Sequence, residues 1–143
     1  MIMGRVRARS GELRDDRGVA AVEFALISVV LFLIIFGIIE FGKTYSQYEV
    51  FLHAAREGAR VGAVRGSEDS IRNAATDAAQ GYSITPPISI TVDGNPPNGA
   101  TPCNDQTAGK PLAVTWDQNF TISIPFLPVW HPTVHIKGVF ECE

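Results

Sequence analysis

The sequence predicts an α+β fold in which a long N-terminal helix, transmembrane in its first half and exported in its second, packs on a small antiparallel β-sheet. Three observations support this prediction. An apolar run lies near the N-terminus, a helical pattern without proline follows it, and all nine prolines come at or after Pro86, where side chains alternate as in strands. With 143 residues the chain has room for one small domain and an anchor.

The apolar run is long enough to cross a membrane. Residues 24–39 are apolar apart from one serine and one glycine, and residues 19–41 add only the carboxylates of Glu23 and Glu40. A helix over residues 19–41 extends for about 35 Å, against about 30 Å of hydrocarbon. The alternative is a buried core helix, but so small a domain cannot surround the run on all sides. We therefore predict a transmembrane helix at 19–41 in contact with membrane lipid, with Glu40 at its outer boundary.

The charges around this run predict its orientation. Residues 1–18 carry five arginines and three acidic residues, whereas only Lys43 lies close after the run. By the positive-inside rule, residues 1–18 form a basic cytoplasmic leader and the C-terminal region is exported, in a single-pass protein of the cytoplasmic membrane. The net charge of −3 disfavours nucleic acid as a partner, because nucleic-acid-binding domains carry an excess of Lys and Arg.

A secretory signal peptide has the same basic head and apolar run, but it is removed from the protein. Such a peptide is cut at small residues after its apolar region, and residues 40–45 offer no small-x-small site. The small residue here is Gly18, directly before the apolar run, and Glu23 is the fifth residue beyond it. This arrangement favours a helix that stays with the protein.

Two pieces of sequence together resemble a known family. They are GVAAVEFAL at residues 18–26 and AAREGAR at residues 54–60. With them, the stretch from Arg17 to Gly66, about a third of the chain, is similar to the TadE-like minor pilins, or pseudopilins, of the tight-adherence (Tad/Flp) pilus system. That system is a branch of the type IV pilus superfamily, so the resemblance implies a pilin-like fold.

The resemblance also implies a processing step and a set of partners. A prepilin peptidase, which is an aspartate-dependent membrane protease, would cut between Gly18 and Val19 on the cytoplasmic side. Glu23 would then pair with the N-terminus of a neighbouring subunit. The implied partners are the peptidase, other pilins and pseudopilins, and the pilus assembly platform.

The chemistry of the junction between the leader and the apolar run supports these implications. An isolated carboxylate within hydrocarbon is costly, so Glu23 needs a partner such as the new α-amino group at Val19. The alternative is that Glu23 only contacts lipid headgroups. Cleavage after Gly18 would remove all five leader arginines, which would make the anchor easier to extract from the membrane.

Residues 42–82 are predicted to be an exported helical stalk, continuous to about Arg65, followed by a short second helix with Ser67 as its N-cap. Small residues recur at every fourth position of the stalk and form a helix packing seam, which consists of Ala54, Gly58 and Gly62, with Gly66 beyond them. The sequence leaves open whether the seam packs within the domain or against another subunit. The like-charged neighbours Arg56 and Arg60 suggest external partners.

Residues 83–143 are predicted to hold three or four antiparallel strands. Alternating side chains mark strands around residues 88–92, 112–124 and 134–142. The middle run is either one long strand or a hairpin that turns at residues 117–119.

The segment 93–110 between these strands is predicted to be a polar loop with no packing signal of its own. The two cysteines, Cys103 and Cys142, both lie in the exported part, where one disulfide between them is the simplest prediction. Two free thiols or an intermolecular bridge are the alternatives.

Signals for catalysis are poor. His131 and His135 have the spacing of a helical metal pair, but Pro132 lies between them and the segment is extended. The sequence has no glycine-rich phosphate loop and no nucleophile elbow. We expect no enzymatic activity, cofactor, metal or small-molecule substrate. The predicted function is that of a minor pilin, and the alternative is a single-pass, membrane-anchored exported binding module that never enters a filament.

Overall fold

The computed structural model describes residues 12–143, with side chains from Gly18 onward, and has two helices followed by three strands. The elements in chain order are α1 (Glu12–Ala63), α2 (Glu68–Ala78), β1 (Ser89–Val92), β2 (Pro111–Asn119) and β3 (Thr133–Glu141). The α+β class predicted from the sequence is therefore confirmed. The part of the predicted leader that precedes Glu12 lies outside the described residues.

The chain divides into two compact units, Met1–Ile38 and Ile39–Glu143. In the described part of the first unit, no side chain from Gly18 to Ile38 is buried. By length and composition, α1 is the one helix among the described residues that could cross a membrane. None of its most apolar 18-residue stretch is buried. An apolar helix without cover of its own needs lipid or other protein chains around it.

The second unit contains an antiparallel sheet with the strand order β1-β2-β3. Ile90 lies opposite Val114, and Trp116 lies opposite Ile136, so the inward side chains of all three strands meet on one face. In β2, buried residues alternate with less buried ones, as the sequence pattern predicts. β2 and β3 stay paired as far as Asn119, so a hairpin turn at residues 117–119 is wrong.

Small residues let α1 pack closely against α2 and the sheet. Ala54, Gly58 and Gly62 are all buried. A Cβ atom added to Gly58 would lie 3.2 Å from the Cβ of Ala75, and one added to Gly62 would lie 2.9 Å from Cδ1 of Leu112. The seam therefore packs within the domain, which is one of the two alternatives that the sequence left open.

A glycine on β3 gives the closest approach of sheet and helix. A Cβ atom added to Gly138 would overlap the backbone of Ala55 in α1 and lie 2.5 Å from the backbone nitrogen of Arg56. Ala55 is itself fully buried. Strand and helix are thus in direct backbone contact at this point.

Helix α2 begins as the sequence predicts. The hydroxyl of Ser67 accepts a hydrogen bond from the backbone N–H of Ser70 at 3.2 Å, which satisfies one of the free N–H groups of the first turn. Ile71 and Ala75 are buried and face α1. Arg72 donates to the carbonyl of Ile88, so α2 also holds the entry to β1.

The loop between β1 and β2 is better packed than predicted. Cys103 and Cys142 form a disulfide with Cα atoms 5.3 Å apart, and Pro102 and Cys103 are fully buried. The backbone N–H of Cys142 donates to the carbonyl of Lys110 at 2.9 Å. Segment 93–110 is the predicted polar loop without a packing pattern of its own, and the disulfide to the end of the chain brings its middle into the core.

The contact at Gly138 gives a direct test of this packing. We expect Gly138→Ala to lower the free energy of unfolding by about 3 kcal/mol, because the new methyl group must push helix and strand apart. Guanidinium unfolding of the oxidised protein in detergent measures the change, with Trp130→Phe as the background so that fluorescence reports only the buried Trp116.

The matched control is Gly42→Ala, since a Cβ atom there would have no neighbour within 4 Å. We expect it to be neutral or to stabilise α1 by up to about 1 kcal/mol, as alanine does in a helix. Equal unfolding free energies for the two variants would contradict the close contact.

Candidate functional site

The residues predicted for processing and assembly lie on the exposed helix of the first unit. Gly18 is exposed, and a Cβ atom there would meet no neighbour within 4 Å. Val19 and Glu23 follow it on α1, and both are exposed. Glu23 carries the only ionisable side chain between Gly18 and Ile39. The helix therefore presents a single carboxylate on an otherwise apolar surface.

Glu40, predicted as the outer membrane boundary, has more contacts than that role requires. Its carboxylate accepts hydrogen bonds from Nζ of Lys43 at 3.1 Å and from the backbone N–H of Ser123 at 3.3 Å. Its side chain is only 16% exposed. Because Ser123 follows β2, Glu40 joins α1 to a distant part of the chain, which the sequence pattern could not reveal.

The segment that Glu40 holds is a hairpin formed where β2 and β3 extend beyond their regular ladder, and we call residues 120–132 the tip hairpin. Its stem is held by paired bonds between Ile122 and Trp130, with N–O distances of 2.9 and 3.0 Å. The chain turns where the N–H of Leu127 donates to the carbonyl of Ile124 at 3.1 Å. Pro125 and Phe126 occupy the centre of that turn, and Phe126 has a φ of 68°, as the third residue of a type II turn requires.

The end of the tip hairpin is strongly apolar and exposed. Its large apolar side chains that face solvent are Phe126, Leu127, Val129 and Trp130. Phe126 is 93% exposed. It also has a positive φ, which is rare for a bulky residue. The sequence pattern carries no signal for the exposure of these side chains.

An apolar cleft of about 310 Å³ lies between the stem of the tip hairpin and α1. It is lined by Phe41, Thr44, Tyr45, Tyr48, Phe120, Ile122, Pro132 and Val134. Phe120 continues inward from this cleft, where its ring packs edge-on against Phe51 with a centroid distance of 5.9 Å. The hairpin is therefore anchored in the aromatic part of the core.

Farther along α1, Glu57 reduces the repulsion between the like-charged side chains of Arg56 and Arg60. Arg60 donates to the Glu57 carboxylate from Nε at 2.9 Å and from Nη2 at 2.6 Å. This bond holds the pKa of Glu57 below its ordinary value. One member of the like-charged pair that suggested external partners is thus neutralised within the helix.

His131 and His135, the two histidines with the spacing of a helical metal pair, have separate local partners. Nδ1 of His135 lies 2.8 Å from Oδ1 of Asp117, and Nδ1 of His131 lies 3.2 Å from Oγ1 of Thr121. Within the part of the chain that the structure describes, no group of three or more His, Cys, Asp or Glu side chains is placed to hold a metal ion.

Comparison with known families bears on α1 alone. Residues 18–60 match the family model described as TadE-like protein. This segment of the chain is TadE-like. The TadE-like segment begins at Gly18, contains Glu23 and Glu40, and ends before the helix does. The resemblance predicted from the sequence is confirmed, and it is consistent with a protein associated with the Tad pilus.

The match does not extend to the sheet. No curated protein and no solved structure shows significant similarity to the chain. The TadE-like segment therefore provides the link to a pilus system, while α2, the sheet and the tip hairpin must be understood from their own geometry.

The bond between Glu40 and Ser123 predicts how the tip hairpin is held. We expect Glu40→Ala to speed amide hydrogen exchange at Ser123 roughly fivefold, because the backbone N–H loses the carboxylate oxygen that accepts its hydrogen bond. Hydrogen exchange followed by mass spectrometry measures this on the full chain in detergent.

Lys43→Ala is the matched control. It removes the ion pair with Glu40 but leaves the acceptor for Ser123 in place, so exchange at Ser123 should stay near the wild-type rate. An equal acceleration in both variants would show that the ion pair, and not the carboxylate alone, holds the hairpin.

Proposed function

We propose that this protein is a minor pilin, or pseudopilin, that takes part in assembling a tight-adherence, type IV-like pilus. The observation that carries the proposal is the position of the TadE-like segment, which begins at Gly18, directly before the apolar run. In this proposal the protein has a structural role and no enzymatic one. Its partners are membrane lipid, a prepilin peptidase, other pilins and pseudopilins, and the pilus assembly platform.

The first step is insertion as a single-pass protein of the cytoplasmic membrane with its N-terminus inside. Five arginines before the apolar run and one lysine shortly after it favour this orientation. Residues 42–143 would then be exported, and a disulfide between Cys103 and Cys142 suits an oxidising compartment.

The second step is cleavage between Gly18 and Val19 by a prepilin peptidase. A protease needs an extended backbone, whereas Gly18 lies within α1, so the helix must open locally. Glycine is less favourable than alanine in a helix by about 1 kcal/mol, which makes this position easier to open than its neighbours. None of the side chains that the structure describes, from Gly18 onward, packs over this glycine.

The third step is assembly. The apolar surface of residues 19–38 is uncovered in the single chain and can exchange lipid contacts for contacts with the same region of other subunits. Glu23 then pairs with a free α-amino group. This pairing offsets the cost of placing a carboxylate in hydrocarbon. Because lipid tails offer no such partner, the helix that carries Glu23 is more stable beside another subunit than beside lipid.

The alternative function is a membrane-anchored binding module that is not incorporated into a filament. It shares the anchor and the exported domain, but it needs neither cleavage nor the pairing of Glu23. Processing and co-assembly therefore discriminate between the two functions.

Processing is tested by intact-mass analysis of the membrane-derived protein, with and without a co-expressed prepilin peptidase. We expect the chain to begin at Val19 when the peptidase is present, and Gly18→Lys to remain uncut because a long cation replaces the small residue. Gly37→Ala changes the one glycine within the apolar run, where an added Cβ atom also meets no neighbour within 4 Å, and this variant should be cut normally. A wild-type chain that keeps its leader in both conditions would rule out the pilin assignment.

The role of Glu23 is tested separately from cleavage. We expect Glu23→Ala to be inserted and cut like the wild type but to lose co-purification with pilus subunits, because its partner amine is left without a counter-charge. Val22→Ala truncates the preceding exposed side chain and should keep co-purification. Normal assembly of the Glu23 variant would show that this carboxylate contacts only headgroups.

A further inference from the structure

We propose that the end of the tip hairpin, residues 124–130, inserts into the lipid interface of the membrane on the exported side. The apolar run would then not be the only lipid contact of the protein. This inference rests on residues 24–39 spanning the membrane, but it does not depend on cleavage or on pilus assembly.

The first observation is the exposure of the hairpin's apolar side chains. Phe126 is 93% exposed and Trp130 is 59% exposed, and Leu127 and Val129 lie between them with about half of their surface in solvent. Four large apolar residues at the end of one hairpin form a patch that a soluble surface rarely carries. Burying such side chains in an apolar medium is favourable.

The second observation is where the hairpin lies. Ser123, next to the turn, donates its backbone N–H to Glu40, and Glu40 directly follows the apolar run. If that run spans the membrane, the position of Glu40 sets the level at which the chain leaves the hydrocarbon. The tip hairpin is held at this same level by a contact within the second unit.

Other side chains at this level have the chemistry of a membrane interface. Phe41 and Tyr45 on α1 are exposed beside the cleft that borders the hairpin stem. Tryptophan and tyrosine are enriched at the headgroup level because each has an apolar body and a polar group. Lys43 can reach phosphate oxygens with its ammonium group while its stem stays near the apolar side chains.

The third observation is the absence of charge. From Gln118 to Ile136 the sequence contains no Asp, Glu, Lys or Arg. Insertion of the hairpin end therefore carries no charged side chain into the interface, which would be the main opposing cost. Asp117 and Lys137 mark where charge begins again, on the regular part of β2 and β3.

The fourth observation is that the hairpin is already ordered. Pro125, Pro128 and Pro132 restrict its backbone, and the paired bonds between Ile122 and Trp130 close its stem. A loop fixed in its inserted shape loses little conformational entropy on binding. Phe126 has an unusual positive φ, and in this conformation its ring points outward with almost all of its surface exposed.

The test uses the full chain reconstituted into vesicles of phosphatidylethanolamine and phosphatidylglycerol, a fraction of which carry brominated acyl chains. Bromine quenches tryptophan only at close range. The chain has two tryptophans, and the other, Trp116, is buried in the core. The difference between the wild type and Trp130→Phe therefore isolates the signal of Trp130. We expect that signal to shift to shorter wavelength in vesicles and to be quenched by brominated lipid.

A pair of valine variants provides the matched comparison. Val129 is 51% exposed at the end of the hairpin, and Val139 is 44% exposed near the opposite end of the β2–β3 ladder. We expect Val129→Asp to abolish most of the quenching, because a carboxylate would have to enter the interface. Val139→Asp should leave it unchanged. Circular dichroism and an intact disulfide confirm that both variants are folded.

Two outcomes would overturn the proposal. The first is a chain that floats with vesicles while Trp130 is not quenched; if Phe126→Cys then crosslinks between copies, a second copy of the chain is the occupant of this surface. The second is a chain that does not float with vesicles, which would remove the membrane anchor as well. A failure of processing or co-purification, by contrast, would affect the pilin function and leave this proposal standing.

Discussion

Direct backbone contact between α1 and β3 is the constraint on which the second unit depends. At Gly138 no side chain fits between strand and helix, so the two elements meet at Ala55 without any intervening layer. The space on either side of this contact is then filled by larger residues, with Ile71 and Leu112 toward α2 and Phe51 toward the aromatic cluster. Because β3 is paired along its length with β2, fixing β3 on the helix also fixes the rest of the sheet.

The position of the tip hairpin follows from that arrangement. The regular ladder ends where Asn119 pairs with Thr133, and the two strands continue into the stem of the hairpin. The antiparallel register directs this stem toward the beginning of the second unit, where Glu40 accepts the N–H of Ser123. The same register places the opposite end of β3 near the disulfide. The contact at Gly138, in the middle of β3, thus determines what lies at each end of this strand.

Features set by local pattern could be predicted, and features set by distant contacts could not. The apolar run, the N-cap at Ser67 and the alternation in β2 depend on neighbouring residues, and the structure has all three. The bond from Ser123 to Glu40 joins residues far apart in sequence, and no periodicity encodes it. The burial of Cys103 follows from its bond to the end of the chain, which the polar composition of its loop concealed.

The two proposals together have a consequence for how a subunit would leave the membrane. Removing the leader would take away the arginines that resist extraction, but it would not change the apolar contacts of the exported side. An exposed phenylalanine such as Phe126 gains about 1.5 to 3 kcal/mol when it is fully buried in an apolar medium. Under both proposals, a growing filament would have to offer apolar cover for the hairpin end as well as for the anchor, and not only a charge partner for Glu23. Extraction would then be selective, because only a neighbour that is complementary to both surfaces could replace the lipid.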